Sequence, residues 1–209
     1  MTNPYFLSKG NHSAESGQRC AMEWVSYIAG LQHTDQPECV DLPLRTFCIS
    51  FNDALDDQSR QRLRPYLARC IGTAGDGRTR ERGFLCLDWL VREHTPAWLA
   101  LAGLEMEAGR LRSLAAIVDL GSARAAGPAV REARKRAAAA WAAAWAAAWA
   151  AAWDAAWAAA WAALAPTVKR LQDSGFALLE RMLPTIAVDL PVGVAGRAAE
   201  VCDTAIGRG

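Results

Sequence analysis

The sequence predicts an all-α protein, and three observations predict it. Six tryptophans, Trp141, Trp145, Trp149, Trp153, Trp157 and Trp161, recur every fourth residue with alanine between them, interrupted only by Asp154. Apolar residues elsewhere recur at i, i+3, i+4 and i+7, the helical period. No segment alternates apolar and polar residues as a half-buried strand does. The expected architecture is a compact helical domain, then a long Ala/Trp helix, then a shorter C-terminal helix.

Residues 1–15 are polar and rich in Asn, Ser and Gly, which predicts a mobile tail. A helical domain is expected over 16–122. Ala21, Trp24, Val25 and Ile28 form a first helical stripe, stopped by Gly30. A loop from Gln32 to Asp41 precedes a second helix, opened near Pro43, with Leu44, Phe47, Cys48, Phe51 and Leu55 on one face. Asp57 reads as the cap of a third helix that ends or kinks at Pro65. Gly72 to Gly77 reads as a loop. A fourth helix is expected from about Thr79 to His94, with Phe84, Leu87, Leu90 and Val91 inward. Thr95-Pro96 reads as an N-cap followed by proline at the first helical position, with Gly103 as the stop. Leu104, Ala108, Leu111, Leu114 and Val118 mark one more helix. Residues 18–120 are expected to fold without the repeat, because their stripes can pair with one another.

Gly121 to Gly127 reads as a linker of small residues into the long helix, expected over 127–165. Alanine is the best helix former, and the stretch far exceeds the roughly 12–15 residues at which an isolated helix is marginal. At about 1.5 Å per residue the helix is on the order of 50–55 Å long. Pro128 suits the first turn and Pro166 the stop. An amphipathic helix over 166–184 carries Val168, Leu171, Leu178, Leu179 and Met182, and Pro184 ends it. Residues 185–209 read as a weakly ordered tail.

The spacing of four sets what the repeat can do. Four residues turn about 400°, so each Trp advances about 40° past the last and the stripe rotates by about 200°. One flat surface cannot cover all six rings, and each ring has ~150–250 Å² to bury. One end of the repeat is expected to pack on the chain's own helices and the other to drive self-association. The six tryptophans are therefore the candidate interaction residues. Trp and Arg codons can differ by one base, so the repeat is also readable as an expanded Ala-Arg repeat that has drifted. A membrane span is disfavoured: Trp normally sits at the interfaces, and Asp154 would cost ~2.5–3.5 kcal/mol at the centre.

Net charge is +1 over 209 residues, which gives no overall pull toward nucleic acid or membrane. Met1 to His12 holds no apolar run of the kind a secretory signal needs. Six cysteines are too few for a disulfide scaffold of this length, so they are expected to be thiols in a cytoplasmic protein.

Gly72-Thr-Ala-Gly-Asp-Gly77-Arg78-Thr79 is spaced like a phosphate-binding loop, but Arg78 stands where lysine is required and the residues before it read as helix. Cys20, His33, Cys39 and Cys48 are of zinc-ligand type but lack a C-x-x-C pair. No metal or cofactor is expected. Glu23, Asp53, Asp88 and His94 could support acid–base chemistry only if they converged; His94 otherwise reads as a cation complementing a helix C-terminus. Arginines cluster at Arg60, Arg62, Arg64 and Arg69, at Arg78, Arg80 and Arg82, and with Lys135 at Arg131, Arg134 and Arg136. These are the candidate phosphate contacts of a nucleic-acid-binding protein.

The segments Cys20–Gly30, Asp35–Cys39, Phe51–Asp53, Asp88–Val91 and His94–Leu99 resemble a family of helical proteins from actinobacteria and their bacteriophages. The resemblance covers roughly residues 18–183, including an Ala-rich repeat before a Leu-Leu-x-Arg-Met ending, here Leu178 to Met182. Family members usually carry Arg-Asp-Ala-Ala repeats where this chain has Ala and Trp. The resemblance implies a biological context and no activity. The sequence reading is therefore a non-catalytic protein that binds protein chains, its own included. Nucleic-acid binding is the alternative, and an enzyme of unrecognised type the third.

Overall fold

The computed structural model describes the backbone of residues 5–148, 153–184 and 190–202, and the side chains among them except for 141–163. The protein is all-α. Its helices are α1 (Ala21–Ala29), α2 (Leu42–Ala54), α3 (Asp57–Arg60), α4 (Arg64–Cys70), α5 (Thr79–Trp89), α6 (Thr95–Leu101), α7 (Glu105–Arg112), α8 (Leu120–Ala148), α9 (Trp153–Met182) and α10 (Val192–Cys202). Among the described residues there is no strand, only an isolated bridge between Leu7 and Arg19. The chain forms two compact units, Met1–Arg82 with Leu179–Gly209, and Gly83–Leu178. The division falls within α5 and within α9, not at the ends of the expected 16–122 domain.

In the first unit α1 packs against α2, α4 and α10, and α4 also packs against α10. Met22, Val25, Ile28, Leu44, Leu63 and Leu67 are buried here with Leu179, Met182 and Val201 from the other end of the chain. Gly30 stops α1 as expected. Its φ of 72° is left-handed, and Leu31 N–H reaches Ser26 O at 2.9 Å. The cap of α3 is Asp56, not Asp57: Asp56 accepts Ser59 N–H. Pro65 does not end a helix. It sits in the first turn of α4, where its missing N–H has no helical partner to lose.

Two further expectations are corrected in this unit. The N-terminal segment is packed, not a mobile tail, over its described part: Leu7 is fully buried, and its backbone exchanges hydrogen bonds with the Gln61 amide. Residues 185–209 are not all weakly ordered, since α10 buries Ala198 and Val201. Residues 1–4, 185–189 and 203–209 lie outside the described residues.

In the second unit, α6 and α7 pack on each other and α7 packs on α8. Val91, Leu99, Ala108, Leu111, Ile117, Ala126 and Ala133 form the core. α5 does not end before α6. A π turn over Leu90–His94 carries the helix straight into Thr95, whose φ and ψ of −60° and −45° are helical, so Thr95 is no N-cap. Gly103 does stop α6, with φ 74° and Leu104 N–H on Leu99 O at 2.9 Å. The expected linker 121–127 is the first part of α8. Asp119 caps it by accepting Ser122 N–H at 2.7 Å, while Ser122 Oγ accepts the Asp119 N–H at 3.0 Å. Pro128 and Pro166 are both interior to helices. Each removes one helical hydrogen bond, and the helices continue through them. Residues 149–152 lie outside the described residues, so the structure does not bear on a single helix over 127–165.

Candidate functional site

The candidate interaction residues Trp141, Trp145, Trp149, Trp153, Trp157 and Trp161 have side chains outside the described residues. The site the structure does describe lies just before them on α8. An open cleft of about 230 Å³ in the second unit is walled by Val91, Leu99, Leu111 and Val130. Ala133 and Ala137 line it from α8, and their small side chains leave the space. Thr95 and Arg134 are also among its lining residues. The lining comes from the π turn, α6, α7 and α8, so the packing of short helices on one long helix makes the cleft.

The same unit also exposes apolar and cationic side chains. Trp98, Leu101 and Met106 are exposed at 39%, 39% and 64%, too much for core residues. Arg131, Arg134 and Lys135 are exposed, and none forms an ion pair among the described residues. Arg136, their neighbour, is held by Glu132 at 3.0 Å.

Beside the cleft residues Val91 and Thr95, the π turn brings His94 between two indoles. Its ring lies 5.0 Å from Trp89 and 6.3 Å from Trp98. Trp98 Nε1–H donates to His94 Nε2 at 3.2 Å, and Trp89 Nε1–H donates to Ser174 Oγ at 2.9 Å. Burial lowers the His94 pKa. His94 is thus a neutral acceptor, which corrects its reading as a cation at a helix C-terminus.

The candidate acid–base residues hold structure locally. Glu23, fully buried, accepts Cys20 N–H at 2.6 Å, His12 N–H at 2.7 Å and the His12 ring at 2.9 Å. Burial pushes its carboxyl up, but these donors outweigh that and hold the pKa below the ordinary range. His33 Nε2 donates to His12 O at 2.7 Å while Arg19 donates to His33 Nδ1 at 2.7 Å. This cluster is a clasp on the N-terminal segment. Asp53 accepts Gly10 N–H at 2.9 Å, and Asp88 accepts Ile117 N–H at 2.8 Å and pairs with Arg92 at 3.0 Å.

The zinc-type residues are dispersed in role. Cys20 caps α1, with its thiol pushed up to about 12 by burial, and Cys48 is buried on α2. Cys39 offers its carbonyl to Gly72 and Ala74 N–H. Among the described residues no three His, Cys, Asp or Glu could hold a metal ion. Those same bonds occupy the glycine loop: Gly72 and Ala74 N–H point to Cys39 O, Asp76 N–H to Thr73 O and Arg78 N–H to Asp76 Oδ1. Four of the loop's backbone donors, those of Gly72, Ala74, Asp76 and Arg78, are therefore engaged within the protein.

Most described arginines of the first two clusters are cross-links. Arg60 is buried on Asn52 O and Leu55 O, and Arg64 on Val201 O at 2.6 Å. Arg69 makes two bonds to Glu180, and Arg78 reaches the carbonyls of Arg181 and Leu183. Fully buried Arg82 donates to Met182 O at 2.9 Å and pairs with Asp76, whose carboxyl its hydrogen bond holds below the ordinary range. Asp41 Oδ1 lies 3.7 Å from Arg82, and its other oxygen accepts the Thr79 hydroxyl. The sequence does carry a signal for two of these. Arg60 and Arg64 share the i, i+3, i+4, i+7 stripe with Leu63 and Leu67, which is where a buried side chain stands.

Among the described residues no helix is long and apolar enough to cross a membrane. Compared with known protein families, curated proteins and solved structures, the chain matches none.

Proposed function

We propose that the protein is a non-catalytic helical protein that works by associating with protein chains, itself among them, in the cytoplasm. The observation that carries this reading is the open apolar cleft on α8, in the unit that also exposes Trp98, Leu101 and Met106 and followed in sequence by the Ala/Trp repeat. Exposed apolar surface of this kind marks contact sites, and Trp is enriched where binding energy concentrates. The resemblance to helical proteins of actinobacteria and their phages supports a context for such an association.

Sedimentation velocity over a concentration series tests it. The expected result is concentration-dependent growth in mass. Replacing Trp141, Trp145 and Trp149 by Ala, and separately Trp153, Trp157 and Trp161, should give unequal effects, one on association and one on melting temperature. A wild type that stays monomeric, with both variants equally stable, overturns the reading.

A second reading, nucleic-acid binding, keeps one supporting observation: exposed Arg131, Arg134 and Lys135 lie within two turns of α8. Salt-sensitive binding of a DNA duplex, reduced when all three are made Ala, would favour it.

A further inference from the structure

Formal charge is unevenly shared along the chain. Five basic residues and one acidic between Leu120 and Ala148 give α8 a charge of +4, so the rest of the chain carries −3 within the net +1. The one carboxylate of the helix, on Glu132, is taken by Arg136 at 3.0 Å. Arg124, Arg131, Arg134 and Lys135 are exposed, and no acid pairs with them among the described residues. At about 100° per residue, Arg124, Arg131 and Lys135 stay within about 40° of arc over about 16 Å of helix, and Arg134 stands about 60° from Arg131. The Arg131 guanidinium lies back along this stripe, since a Cβ on Gly127 would come 3.2 Å from its Nη1. Like charges gathered without a counter-ion repel one another, and an anion laid along the stripe relieves that.

The surface between these cations selects among anionic partners. Every exposed residue from Gly121 to Ala139 is Arg, Lys, Ala, Gly or Pro. The core of a protein–protein interface is apolar and depleted of charge. A helix lying on a membrane needs an apolar face with Trp, Phe or Leu. This stretch offers neither. Phosphate contacts need charge and close approach, and the small residues between the cations allow the approach. No exposed side chain of the stretch holds a hydrogen-bond acceptor, so the amino groups of adenine and cytosine find no partner on it. We propose that α8 binds the phosphate backbone of duplex DNA through Arg124, Arg131, Arg134 and Lys135, without regard to base sequence. The proposal rests on the nucleic-acid reading and adds to it Arg124 and the mode of contact. A duplex carries one negative charge per about 1.7 Å of axis, so a stripe of about 16 Å meets enough phosphates to engage all four cations.

Fluorescence anisotropy of the full chain with two labelled DNA duplexes, one GC-rich and one AT-rich, tests it over a salt series. The two affinities should agree within about threefold, and log K should fall against log salt with a slope of about −3 to −4, roughly −0.9 per phosphate neutralised. Arg124→Gln should make that slope shallower by about 0.9. Arg110→Gln, exposed on α7 and off the stripe, should leave it unchanged. Arg131→Gln repeats the measurement if Arg124→Gln unfolds. Binding with a preference of about tenfold or more for one duplex means that bases are read; it overturns the proposal and leaves the nucleic-acid reading standing. An unchanged slope in Arg124→Gln does the same. No binding of either duplex at about 50 mM salt overturns both. Binding to vesicles of phosphatidylcholine and phosphatidylserine without duplex binding also overturns both and gives the stripe to a membrane.

Discussion

His94 shows how far one side chain's surroundings can shift its role. Within the sequence it stands at the end of an apolar stripe, which reads as a helix terminus with a favourable positive charge. In the structure the helix continues through a π turn, and the ring is packed between Trp89 and Trp98. Burial lowers its pKa below the ordinary value of 6.5. The unfolded chain therefore takes up the proton first as pH falls. Stability linked to His94 is full above the ordinary value, falls as pH drops below it, and levels off below the folded-state pKa. Urea unfolding at pH 7.5 and pH 5 should show a drop for the wild type and a smaller drop for His94→Gln. An equal drop in both would mean that other groups carry the pH dependence. The same lesson holds for Arg60, Arg64 and Arg82. Composition presents them as cations for a phosphate surface, yet burial and carbonyl partners make them internal cross-links.

At the scale of elements, Gly30 and Gly103 were legible as helix stops, whereas Gly121 and Gly127 and the prolines Pro65, Pro128 and Pro166 do not break helices as expected. Gly30 and Gly103 end helices because only a residue without Cβ enters the left-handed region freely. Proline is less decisive, since its cost depends on where in a helix it falls. Pro65 occupies a first turn, while Pro128 and Pro166 are carried inside long helices. Gly30 offers a quantitative check. A Cβ there would lie 2.8 Å from Arg197 Nη2, whereas a Cβ on Gly17, at the same φ of 72°, would meet nothing within 4 Å. Gly17→Ala should thus cost about 1–2 kcal/mol from conformation alone. Gly30→Ala should cost more, because it also disturbs the bond from Arg197 Nε to Ile28 O at 2.9 Å. Midpoints of urea unfolding for the two variants compare them. The π turn had no sequence signal, since Thr95-Pro96 is as apt for the start of a new helix as for the first turn after a π segment.

For the whole molecule, the all-α class was legible and the division of the chain was not. Helical stripes show which face of each helix is buried, but not which distant segment covers it. The first unit is closed by residues from 179 onward, through Arg69 to Glu180, Arg82 to Met182 O and Arg64 to Val201 O. The expectation that 18–120 folds without the repeat therefore meets a specific difficulty in the segment from 179 onward. A chain ending at Leu178 leaves buried Arg64 and Arg82 without these carbonyl acceptors and exposes the apolar surface under Leu179, Met182 and Val201. Thermal unfolding of that chain should lack the cooperative transition of the first unit. A sharp transition matching the wild type would show that the N-terminal helices suffice.

The discontinuous first unit also dictates an order of events at the ribosome. Arg82 and its acceptor Met182 are 100 residues apart, and Arg64 and Val201 are 137 apart. The N-terminal helices must emerge and wait, partly uncovered, while the intervening hundred residues are translated. Non-local contacts of this kind slow folding because chain ends must be brought together first. The second unit eases this search: its own folding joins Trp89 to Ser174 and so shortens the loop left to close. How long α1, α2 and α4 stay partly uncovered then depends on how soon the residues from 179 onward are made.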